Sequence, residues 1–332
     1  MHEISFGADG GAEIVTGGGV PPWHGLGETV PEHMTVWAAL ERARLTWTVD
    51  QVDLTYSASD LRTRVVDSHV ANVRSDDGRL LGVVGRGYQP VQHAAQAEFI
   101  EALLGEGGAV VDCLGAIREG RRQFWTLRLP EELIVSKDDR LTRYLVVANG
   151  HDGALSFRAF WTSVRVVCSN TLSASLRDAA DGITIRHTTN VRSRIDHAQQ
   201  VLGLADRHFQ RLGETLDELA HVGINDDQAD AFFQDIVPFP IDATDLQRRR
   251  VDATRDRLHV NFLGGVGAEL SGHTAWGAYS AVTEFTSHQR PVRGATPRDQ
   301  AERRFESLLL GGPSHQLEQR AFDAALRLAR VA

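Results

Sequence analysis

Residues 69–91 read HVANVRSDDGRLLGVVGRGYQPV. Two strand-forming runs flank Asp77-Gly78, a dipeptide that supplies the positive φ a tight hairpin needs. A chain that turns back within two residues pairs its strands antiparallel. The pattern recurs downstream. Residues 110–130 (VVDCLGAIREGRRQFWTLRLP) turn at Glu119-Gly120, and residues 144–167 (YLVVANGHDGALSFRAFWTSVRVV) turn at Asp152-Gly153. Upstream, LTWTVDQVDLTY (45–56) alternates for much of its length and predicts another strand. Val36, Leu40 and Ala43 share one face at helical spacing and predict a helix over 33–44. QHAAQAEFIEALL predicts a second over 92–104. The first half is therefore α+β, an antiparallel sheet of long hairpins with packed helices.

After Asn170 the pattern turns helical. Residues 171–177 have helical periodicity, and ITIRHT (183–188) predicts a short strand. Ile195, Ala198, Leu202, Ala205, Phe209, Leu212 and Leu216 form one stripe of a long helix over 191–219. Further helices are predicted near 226–236, 243–261, 273–287, 299–310 and 315–330. The domain division is a flexible Gly-rich arm (1–30), an α+β hairpin domain (31–180) and a helical region (181–332). Glycine-rich acidic sequence buries little, so deleting residues 1–20 is expected to leave stability nearly unchanged.

The chain has 332 residues, 42% of them apolar and 24% charged, ordinary values for a globular protein. No apolar run is long enough to span a bilayer. The first residues have neither a basic region nor an apolar core, so no secretory signal is read there. Two cysteines, Cys113 and Cys168, are too few for a disulfide scaffold or a cysteine-based zinc site. A reduced, cytoplasmic protein is expected. The net charge of -9 argues against a protein that coats duplex DNA with its whole surface, but it leaves room for a local basic groove.

Cys168 invites a catalytic reading because it ends a strand and precedes Ser169-Asn170. No family signature of a catalytic cysteine surrounds it, and a thiol at a strand end behaves as a small hydrophobe. Ser169 and Asn170 are good N-cap residues, so the corner reads as strand, cap, helix. The histidines show no HxH, HExxH or CxxC spacing, and no metal or cofactor is expected. Gly85-Arg86-Gly87 lacks the third glycine of a dinucleotide fingerprint and reads as a turn. Asp138-Asp139 and Asp226-Asp227 sit at expected loops or helix starts.

One electrostatic feature remains. Residues 154–195 hold Arg158, Arg165, Arg177, Arg186, Arg192 and Arg194 against Asp178 and Asp181, with Phe157, Phe160 and Trp161 interleaved. The hairpin at 118–128 adds Arg118, Arg121, Arg122 and Arg128 with Phe124 and Trp125. Arginines with aromatics on sheet hairpins compose a single-strand platform, the arginines on phosphates and the rings on bases. The competing reading puts the aromatics in the core and the arginines in solvent.

The order PPWHGLG, VWAALERARLTWTV, GVVGRGYQPVQ, REGRRQFWTLRLP and VANGHDGALSFRAFWTSVRVVCSNTL resembles the phage/plasmid-like protein family built on domain of unknown function 932. HTAWGAYSAVTEFTSHQRPVR and RRFESLLLGG resemble its C-terminal elements. A more distant similarity of layout is to single-strand annealing recombinases. The resemblance implies a mobile-element context and assigns no activity. The expected function is non-catalytic binding of single-stranded DNA in recombination or replication. Its contacts would be Arg118, Arg121, Arg122, Trp125, Arg158, Arg165, Arg186, Arg192 and Arg194, with the helical half packing between protomers of a homo-oligomer. The alternatives are an enzyme of nucleic-acid metabolism, or a structural or anti-host interaction protein.

Overall fold

The computed structural model describes residues 5, 12–18, 28–57, 59–136, 138–165, 171–172, 182–188, 202–294 and 296–331. The chain forms two compact units whose segments interleave. The first holds residues 1–130, 144–161 and 182–204, and the second holds 131–143, 162–181 and 205–332. A single cut near residue 180 does not describe this, because the long strands 122–135, 139–150 and 157–165 each contribute residues to both units.

The predicted hairpins form. In the first unit β3 (Val49–Ser57), β4 (Thr63–Arg74) and β5 (Leu80–Gly85) make an antiparallel sheet, with Gly78 at φ +70° in the β4–β5 turn. Gly85-Arg86-Gly87 closes β5 as a turn. β6 (Val110–Ile117) pairs antiparallel with β7 (Arg122–Val135), and the turn between them holds Arg118, Glu119 and Gly120 at positive φ. β8 (Asp139–Gly150) and β9 (Phe157–Arg165) follow. The larger sheet runs β10 (Thr171–Leu172), β9, β8, β7, β6, β1 (Ile14–Thr16), β2 (Glu28–Thr29), with β11 (Gly182–Ile185) also paired to β9. Helices α1 (Val36–Arg42) and α2 (His93–Gly107) complete the unit, α1 capped by the Thr35 hydroxyl.

Two expectations are overturned here. The arm is not loose over residues 12–18. β1 is a buried strand antiparallel to β6, with Val15 opposite Leu114. Gly115 makes room for it, since a Cβ there would strike the Ile14 side chain. Ser5 is also buried and accepts from the Gly120 N–H. The strand-cap-helix corner fails where it can be seen. Thr171–Leu172 forms strand against Ser163–Val164, so no helix begins there. Cys168, Ser169 and Asn170 lie outside the described residues.

The second unit is helical, as its 3.6-residue periodicity predicts. α3 (Leu202–His221), α4 (Asp226–Ile236), α5 (Asp245–Gly264), α6 (Ala268–Ser271), α7 (Ala275–Glu284), α8 (Pro297–Leu309) and α9 (Pro313–Val331) follow in order. Capping boxes at Asn225/Gln228 and Thr244/Gln247 open α4 and α5. α7 is buried along its whole length and packs against α5 and α9. Trp276 on α7 donates its indole N–H to Asp139 at 2.8 Å. Asp139 is thus a buried acceptor at the start of β8 rather than a loop carboxylate.

Candidate nucleic-acid interface

The nine residues expected to contact nucleic acid separate by environment. Trp125 is wholly buried, and Phe124 with it. The β6–β7 alternation is masked by burial of this strand segment on both faces, so Trp125 belongs to the core and offers no ring face to a base. Arg122 forms an ion pair with Asp152 at 3.3 Å. Arg118 stands at positive φ in the β6–β7 turn, and Arg121 projects half-exposed beside it, 4.0 Å from Glu119. The Arg165 side chain and residues Arg192 and Arg194 lie outside the described residues.

Arg158 lies beside an aromatic ring on β9, and Arg186 follows the end of the strand paired to it. Along β9 the side chains alternate. Phe157, Ala159 and Trp161 are buried, whereas Arg158 and Phe160 are part-exposed on the opposite face. The Arg158 guanidinium lies 5.6 Å from the Phe160 ring centroid. β11 pairs antiparallel with this segment, setting Thr184 opposite Arg158 and Gly182 opposite Phe160. Thr184 is exposed on β11, and Arg186, just past the end of that strand, is exposed as well. Gly182, at φ +138°, has no side chain to cover Phe160, and a Cβ there would strike the Ala159 carbonyl oxygen. Arg158 therefore lies against a part-exposed ring, and Arg186, just past the end of β11, stands four positions along from the residue opposite Phe160.

A buried polar layer holds this face. The Tyr88 hydroxyl donates to the Gly150 carbonyl at 2.6 Å, and the Tyr88 ring stacks on His187 at 4.6 Å. The Gln89 N–H donates to the His187 carbonyl at 3.1 Å, fixing the residue after Arg186. The His151 N–H donates to the Arg121 carbonyl at 2.8 Å, which ties the β8–β9 turn to the β6–β7 turn. Behind these contacts, His93 Nδ1 lies 2.5 Å from Gln123 Oε1, which makes Nδ1 the protonated nitrogen. Gln96 donates to the same oxygen at 2.7 Å. Burial pushes His93 down to about 4 and lowers His151 and His187 as well, so all three are neutral near pH 7. Trp47 packs edge-on to His93, under the Arg74 guanidinium. Arg74 is held charged by Glu13 and Asp76, at 2.6 and 2.7 Å.

None of this layer was legible in the sequence, because His93, Gln123 and His151 lie far apart along the chain and match no motif. Phe160 was noted only as one of several aromatics, and nothing in the sequence distinguished it from Trp125. Among the described residues no group of His, Cys, Asp or Glu is arranged to hold a metal. Cys113 is buried, which pushes its thiol up and makes it a poor nucleophile. No described helix is long and apolar enough to cross a membrane.

The family model described as Domain of unknown function (DUF932) matches residues 80–309. The chain belongs to this family. Comparison with curated proteins and with solved structures finds no match. The DUF932 segment begins at β5 and takes in α2, β6–β11 and the helices through α8, so Arg158, Phe160 and Arg186 all fall within it.

Proposed function

We propose that this DUF932 protein binds single-stranded DNA without catalysis, in the recombination or replication of a mobile element. The observation that carries the reading is the Arg158–Phe160–Arg186 face of β9 and β11. Arginines supply phosphate contacts, and the part-exposed Phe160 ring supplies a stacking surface that tolerates any base. Arg121, at the turn tied to His151, extends the cationic edge. With a net charge of -9, binding comes from this local field against repulsion elsewhere.

Fluorescence anisotropy of a labelled oligonucleotide, titrated with salt, tests the reading. Affinity falls with a log–log slope of about -0.7 per phosphate contacted. Arg158→Ala with Arg186→Ala weakens binding and flattens the slope by about 1.4 if each contacts one phosphate. Phe160→Ala weakens binding by roughly 1–3 kcal/mol with the slope unchanged. Arg327→Ala, on α9 and paired with Asp235, changes neither. A wild-type protein that binds no oligonucleotide at low salt overturns the proposal.

A further inference from the structure

The second unit contains a group of arginines that, among the described residues, has no anion paired with it. The last turn after α7, Phe285–Gln289, is π-helical, and it closes with the Arg290 N–H on the Phe285 carbonyl at 2.7 Å. Such turns insert a residue into a helix and recur at functional sites. Here the insertion delivers Arg290 to the start of α9, where its guanidinium donates to the Ser314 hydroxyl at 3.3 Å. Arg304 on α8 reaches the Arg290 backbone and donates to its carbonyl at 3.4 Å. Arg320, six residues along α9 from Ser314, donates to the Ile236 carbonyl at 3.3 Å, and its charge opposes that of Arg290.

Each guanidinium offers five donors. Arg290 and Arg304 each place one on a neutral protein oxygen, and the Arg304 Nε–H is buried with no acceptor. Among the described residues no carboxylate pairs with Arg290, Arg304 or Arg320. Two buried carboxylates of the second unit have other partners, Glu318 accepting from Thr286 and Glu284 from Gln289. Partial burial lowers the basicity of Arg290 and Arg304, the signature of cations drawn out of water without a counter-charge. Desolvated, unpaired charge destabilises a fold, and an oxyanion that accepts from several guanidinium donors at once offsets it.

We propose that Arg290, Arg304 and Arg320, with the Ser314 hydroxyl, form a binding site for a phosphate group. The proposal is independent of the β9–β11 face, which uses none of these residues. The group comes either from free or nucleotide phosphate or from the phosphodiester backbone of a strand.

Thermal melts of the full chain distinguish the sources. The first arm adds 10 mM orthophosphate to chloride buffer at matched ionic strength, and the second adds a single-stranded oligonucleotide to the Arg158→Ala, Arg186→Ala protein. A site for free phosphate raises the melting temperature by several degrees in the first arm, and a site for a phosphodiester raises it in the second. Either rise disappears in Arg304→Gln and in Arg290→Gln, while the melting temperature in chloride alone stays level or increases. Phosphate also stabilises proteins by exclusion from their surfaces, but that part is common to wild type and variants. The proposal is overturned if neither addition stabilises the protein. It is also overturned if both variants keep the full shift, which is the outcome when these arginines only pack.

Discussion

Removing the Glu13 carboxylate should destabilise the first unit more than almost any other single change in the chain. Glu13 and Arg74 have no solvent-exposed side-chain surface, and two hydrogen bonds join them at 2.6 and 3.1 Å. In Glu13→Ala the guanidinium stays buried and loses its closest partner. Stranding one member of a buried pair costs about 3–5 kcal/mol. Asp76, partly exposed, still faces Arg74, so the lower end applies. The Trp47 indole N–H also loses its acceptor, adding about 1 kcal/mol. The total is about 4 kcal/mol, and for a cooperative unit of this size each kcal/mol moves the midpoint by about 2–4 °C. Differential scanning calorimetry should therefore show a fall of roughly 8–16 °C. Glu13→Ala with Arg74→Met removes both charges and should recover part of the loss. A Glu13→Ala protein that melts with the wild type refutes the reasoning, as does a double variant no more stable than the single one. Deleting residues 1–20 removes Glu13, Ser5 and β1 together and should lower the midpoint further.

Trp125→Ala should cost about 3–5 kcal/mol in urea unfolding, because the ring is fully buried, and should reduce DNA binding only as far as it unfolds the protein. A folded variant with selectively lost binding contradicts its place in the core. Gly115→Ala should destabilise by about 1–3 kcal/mol, since the new methyl meets Ile14 on β1; an unchanged urea midpoint means β1 does not press on β6 there. His93 stays neutral in the folded chain down to about pH 4, whereas the unfolded chain takes up its proton near 6.5. Its contribution is therefore present above pH 6.5 and is lost as pH falls toward 4, about 3 kcal/mol in all. Asp112, pushed up to about 6 by burial, acts in the opposite direction, its share lost as pH rises through 6. Comparing wild type with His93→Gln cancels the Asp112 effect. Their stability difference should shrink from pH 7 to pH 4, and a constant difference refutes the account.

The hairpins and helices were legible because each rests on a local signal. Asp77-Gly78, Glu119-Gly120 and Asp152-Gly153 mark turns through backbone chirality alone, and the α4 segment 226–236 is bounded by its own capping box. Long-range partners were not legible. Glu13 sits in a glycine-rich acidic stretch, and only Arg74, sixty-one residues on, gives it a buried role. Trp125 and Phe160 look alike as aromatics on arginine-rich strands. Which one faces out depends on what covers each side of the sheet, and strand alternation cannot reveal that when a segment is buried on both faces. Thr171–Leu172 followed helical spacing too short to outweigh pairing with β9.

Photo-crosslinking of an iodouracil-substituted single-stranded oligonucleotide, with the attachment sites mapped by mass spectrometry, tests the central claim most directly. Iodouracil joins to an aromatic ring stacked on it. The account predicts attachment at Phe160, lost on Phe160→Ala and reduced when Arg158 and Arg186 are alanine. Attachment elsewhere with Phe160 unmodified, or none under conditions where the oligonucleotide is bound, contradicts it.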